Sequence, residues 1–403
     1  MIFSDYIRAS NLLSLENQQE RNSTSEKILE QEASWNRRDS QNRKPPGTVE
    51  RRIIKYMNIL ITGATSFVGA ETARAFLGAG HYVYAPVRPS SRRTAFLPEH
   101  RNLVRLEADM DDIALLCGMG LPEMQAAVHF AWGGVGVKGR MDPEIQEKNV
   151  RNTLNFLRVS RQLGCRAFLF AGSQAEYGVT LERVEARKMS PAAEAAPEVT
   201  GVTYMVSEET PCHPISEYGK GKLRILREGA ELAEQLGIAY RHMRIFSVYG
   251  TGDHETSLIS SCVQAAKEGR TAELGPCRQQ WNFLHVKDCA AAILALAEHA
   301  LGEQALAEHA LAAAVPAPVE KASGSCVFNI GSSDTRPLKD FVQEVFDIAP
   351  SCGYDGAVFH LTDRAAGPEG TPYLSPDISK IRRETGWSPR ISFREGIREM
   401  LLQ

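Results

Sequence analysis

Met57-Asn58-Ile59-Leu60-Ile61-Thr62-Gly63-Ala64-Thr65-Ser66-Phe67-Val68-Gly69, or MNILITGATSFVG, is an apolar run that ends in a glycine turn and passes at once into a helix-compatible segment. A strand buried on both faces reads as a near-continuous hydrophobic run. A tight turn entering a helix N-terminus offers free amides and a partial positive charge, which suits a diphosphate. Gly63 is expected to permit the turn and Gly69 the close packing of helix on strand. With them, Thr65, Ser66, Phe67 and Val68 are the candidate contacts for a nucleotide. Two glycines alone are a common pattern; the position after the first strand of an alternating array is what gives them meaning.

That array follows. Apolar runs recur as YVYAPV, LVRLEA, AAVHFA, RAFLFAG and YRHMRIF, with amphipathic stretches at Ile145–Leu163 and Leu223–Leu236. Strands alternating with helices predict βαβ units and a parallel sheet covered on both faces. The expectation is therefore an α/β protein, a doubly wound parallel sheet over residues 56–250. Residues 251–403, where turn residues separate shorter elements, should form mainly a smaller C-terminal substrate-binding lobe, with some segments returning to the first domain. In a doubly wound fold the ligand lies outside the carboxyl ends of the strands. Residues 1–55 are polar, without helical or strand period, and read as a flexible extension ahead of Met57. Residues 179–206 read as an inserted loop. The repeat ALAEHAL, at 295–301 and again at 305–311, predicts a lengthened surface helix without chemistry.

The bulk properties narrow the class. The 403 residues are 43% hydrophobic and 24% charged, with net charge −3, the composition of a globular protein. No basic run points to nucleic acid or an anionic membrane as partner. No apolar run approaches the roughly 18 residues of a membrane helix, and the first residues lack a signal-peptide layout. The eight cysteines are scattered without a C-x-x-C pair, so reduced thiols, a cytoplasmic location and no metal site are expected.

The charge after the second strand bears on the nucleotide. Cofactors lacking a 2′-phosphate usually require an acid about 20 residues beyond the glycines. No Asp or Glu stands between Glu71 and Glu99; instead VRPSSRR supplies Arg88, Arg92 and Arg93. Guanidinium groups match phosphate in shape and charge. NADP(H) is favoured, with Arg88 as leading contact and NAD(H) as the alternative; the competing reading is a solvated basic loop. Asp109, beside Met110 after the third strand, is a candidate for the adenine amino group, against the common role of a loop aspartate in capping a turn.

A second stretch, Ser216–Ile225 (SEYGKGKLRI), opens a helix yet holds two glycines, each costing about 1 kcal/mol relative to alanine. Of the 11 tyrosines, only Tyr218 has a lysine four positions on, so Lys222 shares its helix face. A nearby ammonium is expected to lower the phenol's pKa and make the pair a proton donor and acceptor for a carbonyl or alcohol. Gly219 and Gly221 would leave room for a flat cofactor ring or a packed neighbour. Ser173, at the carboxyl end of the fifth strand, is placed to hydrogen-bond the same substrate oxygen. His129, His213 and His254 are not assigned catalytic roles.

The ordered series TGATSFVG, HFAW, NVRNTLNFL, GSQAEYG, Tyr218-x-x-x-Lys222, RIFSVYG, FLHVKD, FNIGSS and ISKIRRETGWSPR resembles the extended short-chain dehydrogenase/reductase family, the NAD(P)-dependent nucleotide-sugar epimerases, dehydratases and reductases. The resemblance runs from about Met57 to Gln403. It implies a Rossmann fold, Ser173, Tyr218 and Lys222 as catalytic residues, Ala131 and Trp132 at the cofactor, a nucleotide-sugar substrate and a homodimer. There are departures. Ser66 replaces a third glycine, and Gln174-Ala175 replaces the Asp-Glu pair of dehydratases, which argues against dehydration. Glu176 stands one place too late to serve. Ser247 and Trp281-Asn282 occupy positions that commonly handle the diphosphate; Arg278 is read either as a substitute or as surface charge, and Trp281 equally as core. The leading expectation is a reductase of a 4-keto sugar. A nucleotide-sugar epimerase is the alternative, and a non-catalytic dinucleotide-binding regulator the reading of another class. An RNA-associated member lacks a basic run to support it.

Overall fold

A computed structural model of the chain describes residues 56–188, 204–312, 326–363, 365 and 367–403. Residues 1–55 and 189–203, most of the inserted loop, lie outside the described residues. The strands are β1 (Asn58–Thr62), β2 (Tyr82–Val87), β3 (Leu103–Glu107), β4 (Ala126–His129), β5 (Ala167–Ser173), β6 (Ala239–Ile245), β7 (Ser247–Tyr249), β8 (Thr271–Leu274), β9 (Gln280–His285), β10 (Val327–Ile330), β11 (Thr335–Pro337) and β12 (Val358–Leu361). The helices are α1 (Phe67–Gly78), α2 (Val137–Arg140), α3 (Pro143–Gln162), α4 (Leu181–Lys188), α5 (Glu217–Leu236), α6 (Leu258–Lys267), α7 (Val286–Ala312), α8 (Leu338–Ile348), α9 (Ser379–Thr385) and α10 (Phe393–Leu402).

Seven strands form the central sheet in the order β3-β2-β1-β4-β5-β6-β10, paired in parallel throughout. This is the doubly wound, Rossmann-like arrangement. The apolar runs explain it: every residue of β4 and of β5 is buried, so both faces of these strands require cover. On one face α3 packs against α5, and Val150, Phe156, Ile225 and Ala233 join Leu60, Phe168, Phe170 and Tyr240 in one core. On the other, α1 packs against α7.

Local chemistry sets the helix ends. Asp142 caps α3 through Glu144 and Ile145 amides, with Pro143 in the first turn, where a missing N–H costs nothing. Gly237 closes α5 in the left-handed region at φ 67°, which a residue without Cβ adopts freely.

The C-terminal part builds its own apolar centre. A three-stranded sheet, β11-β9-β7, and a two-stranded one, β12-β8, are covered by α6, α8 and α10 around Phe283, Phe341, Phe393 and Ile397. Strand β10 leaves this region to pair with β6.

Two expectations are corrected. The segment after Val179 is helical at α4. The first ALAEHAL copy lies in the core, with Leu296, Ala297, Ala300 and Leu301 fully buried, because α7 packs along α1 and lies on β5 and β6. Only beyond Gly302 does the helix emerge, where Leu306 is 63% exposed. Among the described residues no helix is long and apolar enough to cross a membrane.

Candidate active site

The strand order reverses between β1 and β4, where ligands of doubly wound sheets bind. Thr62 pairs with His129 at this point, so the turns leaving both strands meet. Gly63 has φ +68°, and a Cβ there would lie 2.7 Å from the Ala131 amide nitrogen. A Cβ on Gly69 would lie 2.3 Å from the Gly63 carbonyl oxygen. Ser66, in place of a third glycine, caps α1: its hydroxyl accepts from the Gly69 amide, which leaves the amides of Phe67 and Val68 at the open helix end. The first turn of α1 carries no acidic residue. A cradle this tight, with free amides and no opposing charge, fits a dinucleotide diphosphate.

The remaining expected cofactor residues surround this turn unevenly. Arg88 and Arg92 stand exposed beyond β2, whereas Arg93 lies over the Phe96 ring at 4.5 Å. The Asp109 carboxylate accepts from the Met110 amide at 2.6 Å, and the Met110 side chain packs on the main core. Trp132 is fixed by its Nε1, which donates to Gln146 at 2.7 Å. Asn149 holds Gly133 from both sides, at 2.9 Å each. The NVRNTLNFL motif thus fastens the loop after β4.

Ser216 caps α5 by accepting from the Gly219 amide, which sets Tyr218 in the first turn and Lys222 one turn on. One of the two glycines has a packing reason. A Cβ at Gly219 would lie 2.7 Å from the Ala175 carbonyl oxygen, whereas one at Gly221 would make an ordinary contact with Trp132 at 3.4 Å. The helix is pressed onto the turn after β5, and this brings Tyr218 within hydrogen-bonding reach of Ser173.

Lys222 is buried at 3% exposure. Its Nζ donates to the Ala171 carbonyl at 2.7 Å and lies 3.8 Å from the Trp132 ring centre. Burial pulls its pKa down to about 7. Burial likewise pushes the Tyr218 phenol up; the Arg140 guanidinium is the strongest influence opposing that rise, followed by the Ser173 hydrogen bond. The expected lowering of the phenol by Lys222 is therefore corrected: in this arrangement the ammonium lies 5.6 Å from the tyrosine ring centre, and the closer cation is Arg140.

Glu176 has a place the motif comparison did not give it. It is fully buried, accepts from the Ser173 amide at 2.8 Å, meets His242 Nε2 at 2.9 Å and accepts from Arg244 Nε at 3.0 Å. Burial raises its pKa, but His242 and Arg244 outweigh this and hold the carboxyl below its usual range. His129 is a satisfied core histidine between Thr62 and Thr153, lowered to about 3 by burial; His213 and His254 are exposed.

The positions tied to the diphosphate by resemblance behave differently. Asn282 is buried and donates to Ser332, Asp334 and Thr335, a structural pin. Trp281 packs against two apolar clusters. Arg278 is 75% exposed, 3.9 Å from Asp363.

A parallel sheet with a glycine turn at its switch point and a Ser–Tyr–Lys group at the strand ends defines a dinucleotide-binding α/β protein of the short-chain dehydrogenase type. The chain belongs to the NAD dependent epimerase/dehydratase family, whose model matches residues 59–306. It is 25% identical to a UDP-glucose 4-epimerase of Corynebacterium glutamicum, over 83% of this chain and 91% of the relative. It is also 25% identical to a dTDP-6-deoxy-L-talose 4-dehydrogenase (NAD(P)(+)) of Kitasatospora kifunensis, over 85% and 94%. The fold is similar to that of UDP-N-acetylglucosamine 4-epimerase from Methanobrevibacter ruminantium, solved with UDP-N-acetylmuramic acid: TM-score 0.65, 20% identity, 86% of this chain and 98% of that one.

Proposed function

We propose that the protein is an NADP(H)-dependent oxidoreductase that reduces the 4-keto group of a nucleotide-diphosphate sugar. The observation that carries this reading is the convergence of Tyr218 and Lys222 of α5 on Ser173 at the end of β5, with Lys222 against Trp132 of the turn that meets Gly63. The acid-free, arginine-bearing end of β2 supports NADP(H), the cofactor generally used for net reduction.

Gly63, Gly69 and the amides of Phe67 and Val68 would hold the diphosphate, Arg88 the 2′-phosphate, and Lys222 the nicotinamide ribose. When bound, the nicotinamide supplies the hydride that reaches the ketone carbon. Tyr218 holds the proton destined for the ketone oxygen and releases it as the new C–H bond forms, giving an alcohol. The Ser173 hydroxyl donates to the same oxygen and fixes its orientation. The turn after β4, pinned by Gln146 and Asn149, keeps Trp132 against Lys222.

The test follows NADPH absorbance with purified protein and a panel of 4-keto-6-deoxy nucleotide sugars, with product analysis. Oxidation of NADPH in step with loss of one ketone supports a reductase. A changed sugar without NADPH consumption replaces it with an epimerase, a reaction in the name of one relative. Tyr218→Phe should lower kcat by about 10²–10⁴-fold; a variant with near-normal turnover removes Tyr218 from the role.

A further inference from the structure

Arg140 ends α2, in the glycine-rich loop after β4. Its guanidinium carbon lies 4.2 Å from the centre of the Tyr218 ring. Its Nε and Nη2 donate to the two carboxylate oxygens of Glu369 at 2.7 and 2.8 Å, a two-pronged pairing that fixes the plane of the guanidinium. The two side chains are only 22% and 28% exposed, so solvent screens them weakly. Glu369 also bonds Ser216, the cap of α5, and these bonds hold its carboxyl below the usual range against the upward push of burial.

The cation that the sequence points to is less well placed. Lys222 lies farther from the tyrosine ring, is engaged with the Ala171 carbonyl and the Trp132 face, and is only partly protonated near neutral pH because burial pulls it to about 7. A guanidinium is charged throughout this range. An opposite charge within about 4–6 Å lowers an acid's pKa by about 1–3 units.

We propose that Arg140 is the positioning residue that supplies the fixed positive charge beside the Tyr218 phenol, with Glu369 clamping its guanidinium. The proposal rests on the reading of Tyr218 as the proton-transfer group. The groups facing Tyr218 are Arg140 from α2, Ser173 from β5, Glu176 from the turn after it, Lys222 from α5 itself and Glu369 from the C-terminal segment. The two carboxylates raise the phenol, while Arg140 and the Ser173 hydroxyl oppose them, Arg140 more strongly than either carboxylate acts. The clamp also brings the segment around Glu369, remote in sequence, against Arg140, where the two border a small cleft with Gln174, Thr180 and Ile215.

The experiment is a pH-jump titration of tyrosinate absorbance, read before unfolding and without substrate. The Tyr218 signal is isolated by subtracting the Tyr218→Phe protein in each background. Arg140→Gln and Arg140→Met should each raise the Tyr218 midpoint by about one unit or more, while Arg140→Lys should stay near the parent value. Two neutral variants guard against one that does not fold. An unchanged midpoint in the neutral variants overturns the proposal, as does a Lys variant that shifts as far as they do, since charge is then not the cause. A parent Tyr218 that does not ionise below pH 12 overturns it as well. Because no sugar is needed, failure of the substrate assay and failure of this coupling are separate results.

Discussion

Arg88 stands exposed at the end of β2, where a ribose-binding acid would sit in an enzyme that prefers NAD. A charge-assisted hydrogen bond contributes about 1.5–3 kcal/mol, and solvent exposure places this one at the low end. Arg88→Ala is therefore expected to weaken NADPH binding about tenfold and leave NADH binding nearly unchanged, as measured by quenching of protein fluorescence. Equal weakening of both cofactors would mean that Arg88 does not read the 2′-phosphate. At this scale sequence and structure divide clearly. Ser173, Tyr218 and Lys222 were legible because each sits at a strand end or a fixed helix spacing. Arg140, Glu176 and Glu369 were not, because each is defined by a partner distant in the chain, Glu369 lying 229 positions from Arg140.

Helix α5 settles why its first turns contain glycine. At Gly219 the added Cβ meets backbone, the Ala175 carbonyl, at 2.7 Å, and backbone cannot swing aside as a side chain does. At Gly221 the nearest atom is Trp132 at 3.4 Å, an ordinary contact. Gly219→Ala should therefore push the helix off the turn after β5. We expect a stability loss of about 1–3 kcal/mol and a fall in kcat as Tyr218 separates from Ser173. Gly221→Ala should be neutral or stabilising by up to about 1 kcal/mol, from the helix preference of alanine. Urea unfolding and steady-state kinetics of the two variants test this, and equal effects at both positions would show that close packing is not the reason for the glycine. The same element shows what periodicity missed: the repeat in α7 reads as a surface extension, yet its first copy is core, because α1 and the sheet cover it from outside the repeat.

For the molecule as a whole, the buried Lys222 couples the site to stability. Its folded-state value of about 7 lies below the unfolded 10.5. Between these values the unfolded chain binds the proton that the folded chain refuses, so stability falls as pH drops from 10.5 toward 7. Between pH 7 and 9.5 this one group should add about 3 kcal/mol of stability. Lys222→Met should lose that rise, measured as the difference between the two proteins' urea unfolding free energies at both pH values without cofactor. Parallel pH dependences would mean that Lys222 stays charged in the fold. The sequence by itself determined the doubly wound sheet, the glycine turn, the strand-end serine and the Tyr–Lys pair, since these depend on apolar period, turn chemistry and local spacing. Only the tertiary structure decided which cation faces Tyr218, why Gly219 is glycine and where Glu176 finds its partners. Those outcomes depend on burial and on contacts between distant segments, which no local pattern encodes.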